Sequence, residues 1–130
     1  MLENKDAMAT VAVKDLPAAR KFYEGTLGLK PVHEEPSNAV AYQAGHTQLL
    51  VYVSRYAGTN QATTVTWMMD GKLEESVNAL KARGVKFEHY DLPDTKRVGD
   101  IHHAGHLKNA WFKDPDGNIH ALVGQEEGAK

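Results

Sequence analysis

DLPAARKFYEGTLGLKPVH at residues 15–33 and KLEESVNALKARGVKFEH at residues 72–89 are one structural unit written twice. With one gap, Leu16 falls on Leu73 and Gly28 on Gly84. In the first copy Asp15 is placed to cap a helix, and Pro17 falls in the first turn, where a missing N–H costs nothing. Leu16, Ala19, Tyr23 and Leu27 then recur on one helical face. In the second copy Leu73, Val77 and Leu80 form the inner face, and Gly84 stands where the C-terminal cap belongs. Such self-similarity predicts a duplicated unit of roughly 55 to 60 residues.

Strands fit around both copies. MATVAVKD at residues 8–15 alternates and precedes the first helix. LKPVHEE, VAYQAG and QLLVYVS follow it, separated by the turn-forming PSN and GHT. RYAGTNQA, residues 55–62, reads as a linker, after which ATTVTWMMD starts a second strand–helix pattern that continues into VKFEHY. DLPDTKRVGDIHHAGH, residues 91–106, is too long and polar for a tight turn and is read as a functional or mobile loop. The stretch AWFKDPDGNIHALV, residues 110–123, closes the second copy as a hairpin. Within it Pro115 presets φ and Gly117 accepts positive φ. The expected architecture is α+β, β-α-β-β-β twice, in one domain over residues 1–130. Module 1 spans about 7–54, the linker 55–62 and module 2 about 63–125.

Composition narrows the functions. Apolar residues at 42% suffice for a core, and a net charge of −2 spread along the chain provides no basic field for nucleic acid. With no cysteine there are no disulfides, thiolate nucleophiles or thiolate metal ligands, which fits a reducing compartment. MLENKDAMAT has no apolar signal core and no run is long enough to span a membrane, so a cytoplasmic location is expected.

The helix start D-L-x-x-A-x-x-F-Y, the L-G-L turn and the D-P-D-G-N hairpin together resemble the vicinal oxygen chelate superfamily, which comprises glyoxalases, bleomycin-resistance proteins and extradiol dioxygenases. The likeness spans both copies. It implies two βαβββ modules whose sheets curl as half-barrels around a concave cavity, and a homodimer that completes or supports the site. It also implies, for enzymatic members, one divalent ion held by His and Glu from strands of both modules. The corresponding positions here are Met8, about Leu50, Thr64 and Ala121. Thioether, hydroxyl and alkyl groups do not replace imidazole and carboxylate around such an ion. Shifting by one residue yields Ala7, Ala9, Thr63 or Val65, or else His120, which alternation points out of the cavity. No metal and no cofactor are therefore expected at the family position.

His102, His103 and His106 invite a second metal reading, yet as loop residues they lack a strand or helix to aim their rings. The alternative is a lid whose histidines, with His103 the ligand-binding candidate, touch ligand or titrate near neutrality. His33, His46 and His89 read as surface residues. The consecutive acids Glu34-Glu35, Glu74-Glu75 and Glu126-Glu127 point different ways and read as solvated. No nucleophile elbow, phosphate loop or dinucleotide fingerprint is present.

If the family ligand positions face the cavity, strand parity adds Thr10, Ala12, Tyr52, Thr66, Met68 and Trp111 to Met8, Leu50, Thr64 and Ala121, and directs Phe112 outward against a helix. That lining is apolar with a phenol, an indole and hydroxyls, a surface suited to a small hydrophobic or aromatic molecule. The expected function is metal-independent binding of such a ligand. The alternative is a glyoxalase-like lyase, isomerase or dioxygenase with a displaced metal, or a metal-free enzyme using Tyr52 or a lid histidine. A dimer with a vestigial cavity is the third possibility.

Overall fold

The computed structural model describes residues 1–125, so Glu126 and Glu127 lie outside the described residues. The chain divides into two compact units, Met1–Thr59 and Asn60–Lys130.

In the first unit β1 (Ala9–Val13) leads into α1 (Leu16–Arg20), followed by β2 (Lys30–Glu35), β3 (Ala39–Ala44) and β4 (Thr47–Val53). The Asp15 carboxylate accepts from the Ala18 N–H at 3.4 Å, the expected cap. The helix does not stay α-helical over its whole predicted length. From Lys21 to Thr26 it widens into a π-helical turn, with the Leu27 N–H reaching the Phe22 carbonyl at 2.9 Å. Gly28, at φ 76°, then ends it, as Gly84 at φ 93° ends the second helix.

The sheet order is β1-β4-β3-β2, with β1 and β4 parallel and the other pairs antiparallel. Val11, Val13, Val40, Tyr42, Leu49 and Val51 are buried on one face, together with Leu16, Ala19 and Tyr23 of the helical segment. At the margin of this core Glu24 accepts from Arg20 at 2.6 Å and from the Tyr42 hydroxyl at 2.8 Å, while Arg20 also reaches Glu34 at 2.6 Å. Burial opposes the charge on Glu24, but the bonds from Arg20 and Tyr42 outweigh it and hold its pKa below the usual carboxylate value. The ionised carboxylate thus stabilises the fold above the unfolded pKa, and that contribution disappears as pH falls through the lower folded value. Glu24→Gln is expected to cost about 1 kcal/mol in denaturant melts at pH 7, and much less at pH 3.

The second unit repeats the wiring. β5 (Thr63–Met68) and α2 (Leu73–Ala82) are followed by β6 (Phe87–Glu88), β7 (Lys96–Val98), β8 (Ile101–Ala104), β9 (Leu107–Lys113) and β10 (Ile119–Gln125). β5 pairs parallel with β10, as β1 does with β4, and the order is β5-β10-β9-β8-β7 with β6 also on β9. Leu73 of α2 lies against Gly124 of β10, so the helix covers the face that also holds His120, Leu122 and Phe112. Phe112 is buried there, turned away from Trp111, as alternation requires.

One expectation is corrected. Residues 91–106 are not one long loop: β7 and β8 form a hairpin inside that stretch, and β8 pairs with β9. His102 and His103 therefore have a strand to aim them. Among the described residues no helix is long and apolar enough to cross a membrane.

Candidate functional site

Each sheet buries one face under its own helix, and on the opposite face exposure varies, with Ala41, Ala121 and His102 buried and Thr10, Tyr52 and Met68 exposed. In the first unit, register places Thr10 beside Leu50 and Ala12 beside Tyr52, with Ala41 on the far side of Leu50. Thr10 and Tyr52 are exposed, and Met8, just before β1, is exposed too. The parity argument thus groups these side chains on one face, opposite the buried valines and leucines.

In the second unit Thr66, Ala121 and Trp111 form one row across β5, β10 and β9, and Met68, Val123 and Asn109 form the next. Thr64 sits at an irregularity in the β5–β10 pairing, where its hydroxyl accepts from the Asn60 amide at 2.7 Å. Met68 is 72% exposed and borders a shallow cleft of about 460 Å³ with Met69, Leu107, Val123 and Gln125. His103 does not join this face. It pairs with Lys108, whose ammonium bonds Glu74 of α2 at 2.9 Å, and it lies close enough to Glu74 to act on that carboxylate's charge.

The histidine that meets Trp111 is His102. Its ring lies 4.9 Å from the Trp111 ring at 76°, and Tyr90 completes the group at 5.2 Å from Trp111 and 6.3 Å from His102. The two contacts with Trp111 are edge-to-face, favourable between a ring's electron-rich face and another's edge, while Tyr90 and His102 are tilted at 33° to each other. His102 is fully buried, and its Nε2 accepts from the Tyr90 backbone N–H at 3.0 Å. Burial lowers its pKa, and the charges of His89 and Arg97 act in the same direction. The Asn109 backbone favours the charged ring but makes no hydrogen bond of ordinary geometry to Nδ1. A neutral ring with an accepting Nε2 carries its proton on Nδ1. Tyr90 is raised in pKa by burial and then by the charge of Glu88, so its phenol stays protonated. It also borders a cleft of about 380 Å³ with His89, Asp91, Leu92, Thr95 and Arg97.

Sequence reasoning names Trp111, counts His102 among the lid histidines and ends a strand at Tyr90, but it does not bring either ring to Trp111, because the loop reading of residues 91–106 hides the pairing of β8 with β9. His106 is exposed in the turn after β8, so the three neighbouring histidines do not converge. His33 and His89 are exposed, each bonded to a carboxylate: Glu35 at 2.7 Å and Asp100 at 2.8 Å. His120 points away from the open face, but into the core rather than to solvent.

The residues at the family's metal positions do not suit a divalent ion. Leu50 pairs with Thr10 and Ala121 with Thr66, an equivalence that the internal repeat reproduces, and none of the four offers an imidazole or carboxylate. Met8 and Thr64, two residues earlier on each first strand, add a thioether and a hydroxyl already bonded to Asn60. Among the described residues no three His, Asp or Glu side chains gather closely enough to hold a metal.

The sequence from residue 7 to residue 122 matches the Glyoxalase/Bleomycin resistance protein/Dioxygenase superfamily. The chain belongs to this superfamily. Its glyoxalase-type fold is shared with solved structures of low sequence identity. Lactoylglutathione lyase from Agrobacterium tumefaciens aligns over 93% of both chains with a TM-score of 0.69 and 19% identity. Fosfomycin resistance protein FosX from Mesorhizobium loti aligns over 98% of this chain and 96% of its own, at 0.67 and 14%. A glyoxalase/bleomycin resistance protein/dioxygenase from Alicyclobacillus acidocaldarius aligns over 95% and 93%, at 0.69 and 19%. No curated protein matches the sequence significantly. At these identities the glyoxalase superfamily likeness establishes architecture, and chemistry has to be argued from the side chains.

Proposed function

We propose that this superfamily member is a metal-independent receptor for a small planar or apolar organic molecule, held against the face of the second sheet opposite α2, around the half-buried Trp111. The observation that carries the reading is the row Thr66, Ala121 and Trp111, where the residue at the expected carboxylate position is a methyl group beside an indole. An aromatic wall with an exposed thioether at Met68 favours ring stacking and dispersion over coordination. Lining of this kind, with few polar groups, is typical of organic-ligand sites.

His102 does not favour the catalytic alternative. Its one available lone pair, on Nε2, is committed to the Tyr90 N–H, so the ring has none to accept a substrate proton.

The test uses protein purified without a histidine tag. After chelation and reloading with nickel or zinc, the metal content of the second-unit site is expected to stay far below one equivalent. Naphthalene-based probes are expected to raise the melting temperature, by the equivalent of about 2.7 kcal/mol at a hundredfold excess over Kd. Trp111→Ala should abolish that shift. A stoichiometric ion retained after dialysis, together with an absence of any aromatic probe shift, would overturn the proposal.

A further inference from the structure

The cleft of about 380 Å³ beside Tyr90 differs in kind from the face around Trp111. Its walls come from residues 89–92, which follow β6, and from Thr95 and Arg97 at the start of β7. His89, Asp91, Leu92 and Arg97 are all exposed there. Two of them are steadied from outside the cleft. The Arg97 guanidinium donates to the Gly99 carbonyl at 2.6 Å, and His89 Nε2 bonds the Asp100 carboxylate at 2.8 Å. Gly99 and Asp100 sit in the turn between β7 and β8 and do not line the cleft. A guanidinium carries five N–H donors in a rigid fork, so the Gly99 bond fixes its direction and leaves other donors for a ligand.

Opposite charges stand in this one cleft without neutralising each other. Among the described residues neither Asp91 nor Arg97 has an ion-pair partner, although both line the same space. A simple anion would meet Arg97 but also the Asp91 carboxylate, and a simple cation would meet the reverse. A molecule that carries both charges satisfies both groups. Leu92, 40% exposed, adds an apolar side chain to the lining, and the volume suits a small molecule.

We propose that this cleft is a second binding site, separate from the face around Trp111, and that it takes a free α-amino acid with an apolar side chain. Arg97 receives the carboxylate, Asp91 receives the ammonium, and Leu92 meets the hydrocarbon.

Three probes of nearly the same shape test this in tag-free protein at about pH 6.5, below the pKa of an α-amino group. L-Leucine carries both charges, L-leucinamide only the ammonium and N-acetyl-L-leucine only the carboxylate. Calorimetric titration is expected to show leucine binding at least about tenfold more tightly than either analogue, the worth of one hydrogen bond between charged groups. Arg97→Gln should remove leucine's advantage over leucinamide, and Asp91→Asn its advantage over N-acetyl-leucine. Both side chains are exposed, so the variants should melt within a few degrees of wild type. If either fails to fold, the comparison of the three probes on wild-type protein decides alone. N-acetyl-leucine binding as tightly as leucine overturns the proposal by reducing the cleft to an anion site. Absence of leucine binding up to about 10 mM, a free energy weaker than roughly 3 kcal/mol, overturns it too. Displacement of the naphthalene probes by leucine would show one site where two are proposed, and also counts against it. None of these results bears on whether those probes bind at Trp111, which tests the receptor reading on its own.

Discussion

Between pH 6.5 and about 4.5 the protein is expected to lose most of about 3 kcal/mol of stability through a single side chain, His120. This imidazole is fully buried between two rings. Phe112 stacks on it at 4.9 Å and 11°, and Trp67 lies at 6.1 Å and 14° while its indole N–H donates to Nδ1 at 3.0 Å. Desolvation pushes its pKa down from 6.5 to about 4, and the negative charge of Asp114 opposes this only partly. Protonation would also put a second proton donor against the Trp67 N–H.

The sign follows from proton counting. Across that interval the unfolded chain holds a proton on this ring and the native chain does not, so stability rises with pH and is fully present above 6.5. His102, lowered by burial, contributes in the same direction. Carboxylates such as Glu24, Glu74 and Asp100 are held below their ordinary values and act only at lower pH, so the upper part of the window belongs to histidine. Urea melts at pH 7 and pH 4.8 measure the difference. His120→Gln, which keeps an acceptor for Trp67 but cannot titrate there, should flatten it. Equal wild-type stability at the two pH values would refute the assignment.

Asp114→Ala is expected to destabilise the fold by about 3 kcal/mol or more, lowering the melting temperature by roughly 10 °C. Asp114 is buried at the start of the D-P-D-G-N hairpin. Its Oδ1 accepts from the backbone N–H groups of Asp116 and Asn118, each at 2.9 Å, and its Oδ2 accepts from the Asn118 amide at 2.8 Å. Alanine removes both acceptor oxygens and their three hydrogen bonds at once, the one from the buried Asn118 amide included. Asp114→Asn should fall between the two. It keeps one oxygen for the backbone donors but sets an NH2 group against the Asn118 NH2. Calorimetry of the three proteins decides. A change under about 0.5 kcal/mol for Asp114→Ala would show that the turn holds without its carboxylate.

The duplicated helices and the β-α-β-β-β wiring were legible because apolar periodicity, the Asp15 cap and the glycines at 28 and 84 all pointed the same way. Face assignment was legible too: Thr10 does share a face with Leu50, and Thr66 with Ala121 and Trp111. The β7–β8 hairpin was hidden by its composition. Lys96, Arg97, His102 and His103 occupy positions where an ordinary strand shows valine or isoleucine, so alternation of polarity vanished. The remaining signal was its punctuation, Gly99 and Gly105, both at positive φ and one at either end of β8. Without that hairpin the cross-strand neighbours of His102 go unread, and with them the packing of His102 and Tyr90 on Trp111. The π-helical turn had no signature in periodicity, since widening one turn leaves Tyr23 on the inner face.

In each unit the strand synthesised first is zipped, in parallel, to the strand synthesised last: Ala9 to Leu49 and Thr63 to Ile119. Antiparallel neighbours such as β3 with β4, or β9 with β10, need only a short turn between them and can form while the chain is still open. The loop-closure entropy of the whole unit therefore falls on one seam, and the leading strand waits for a partner that the ribosome has not yet made.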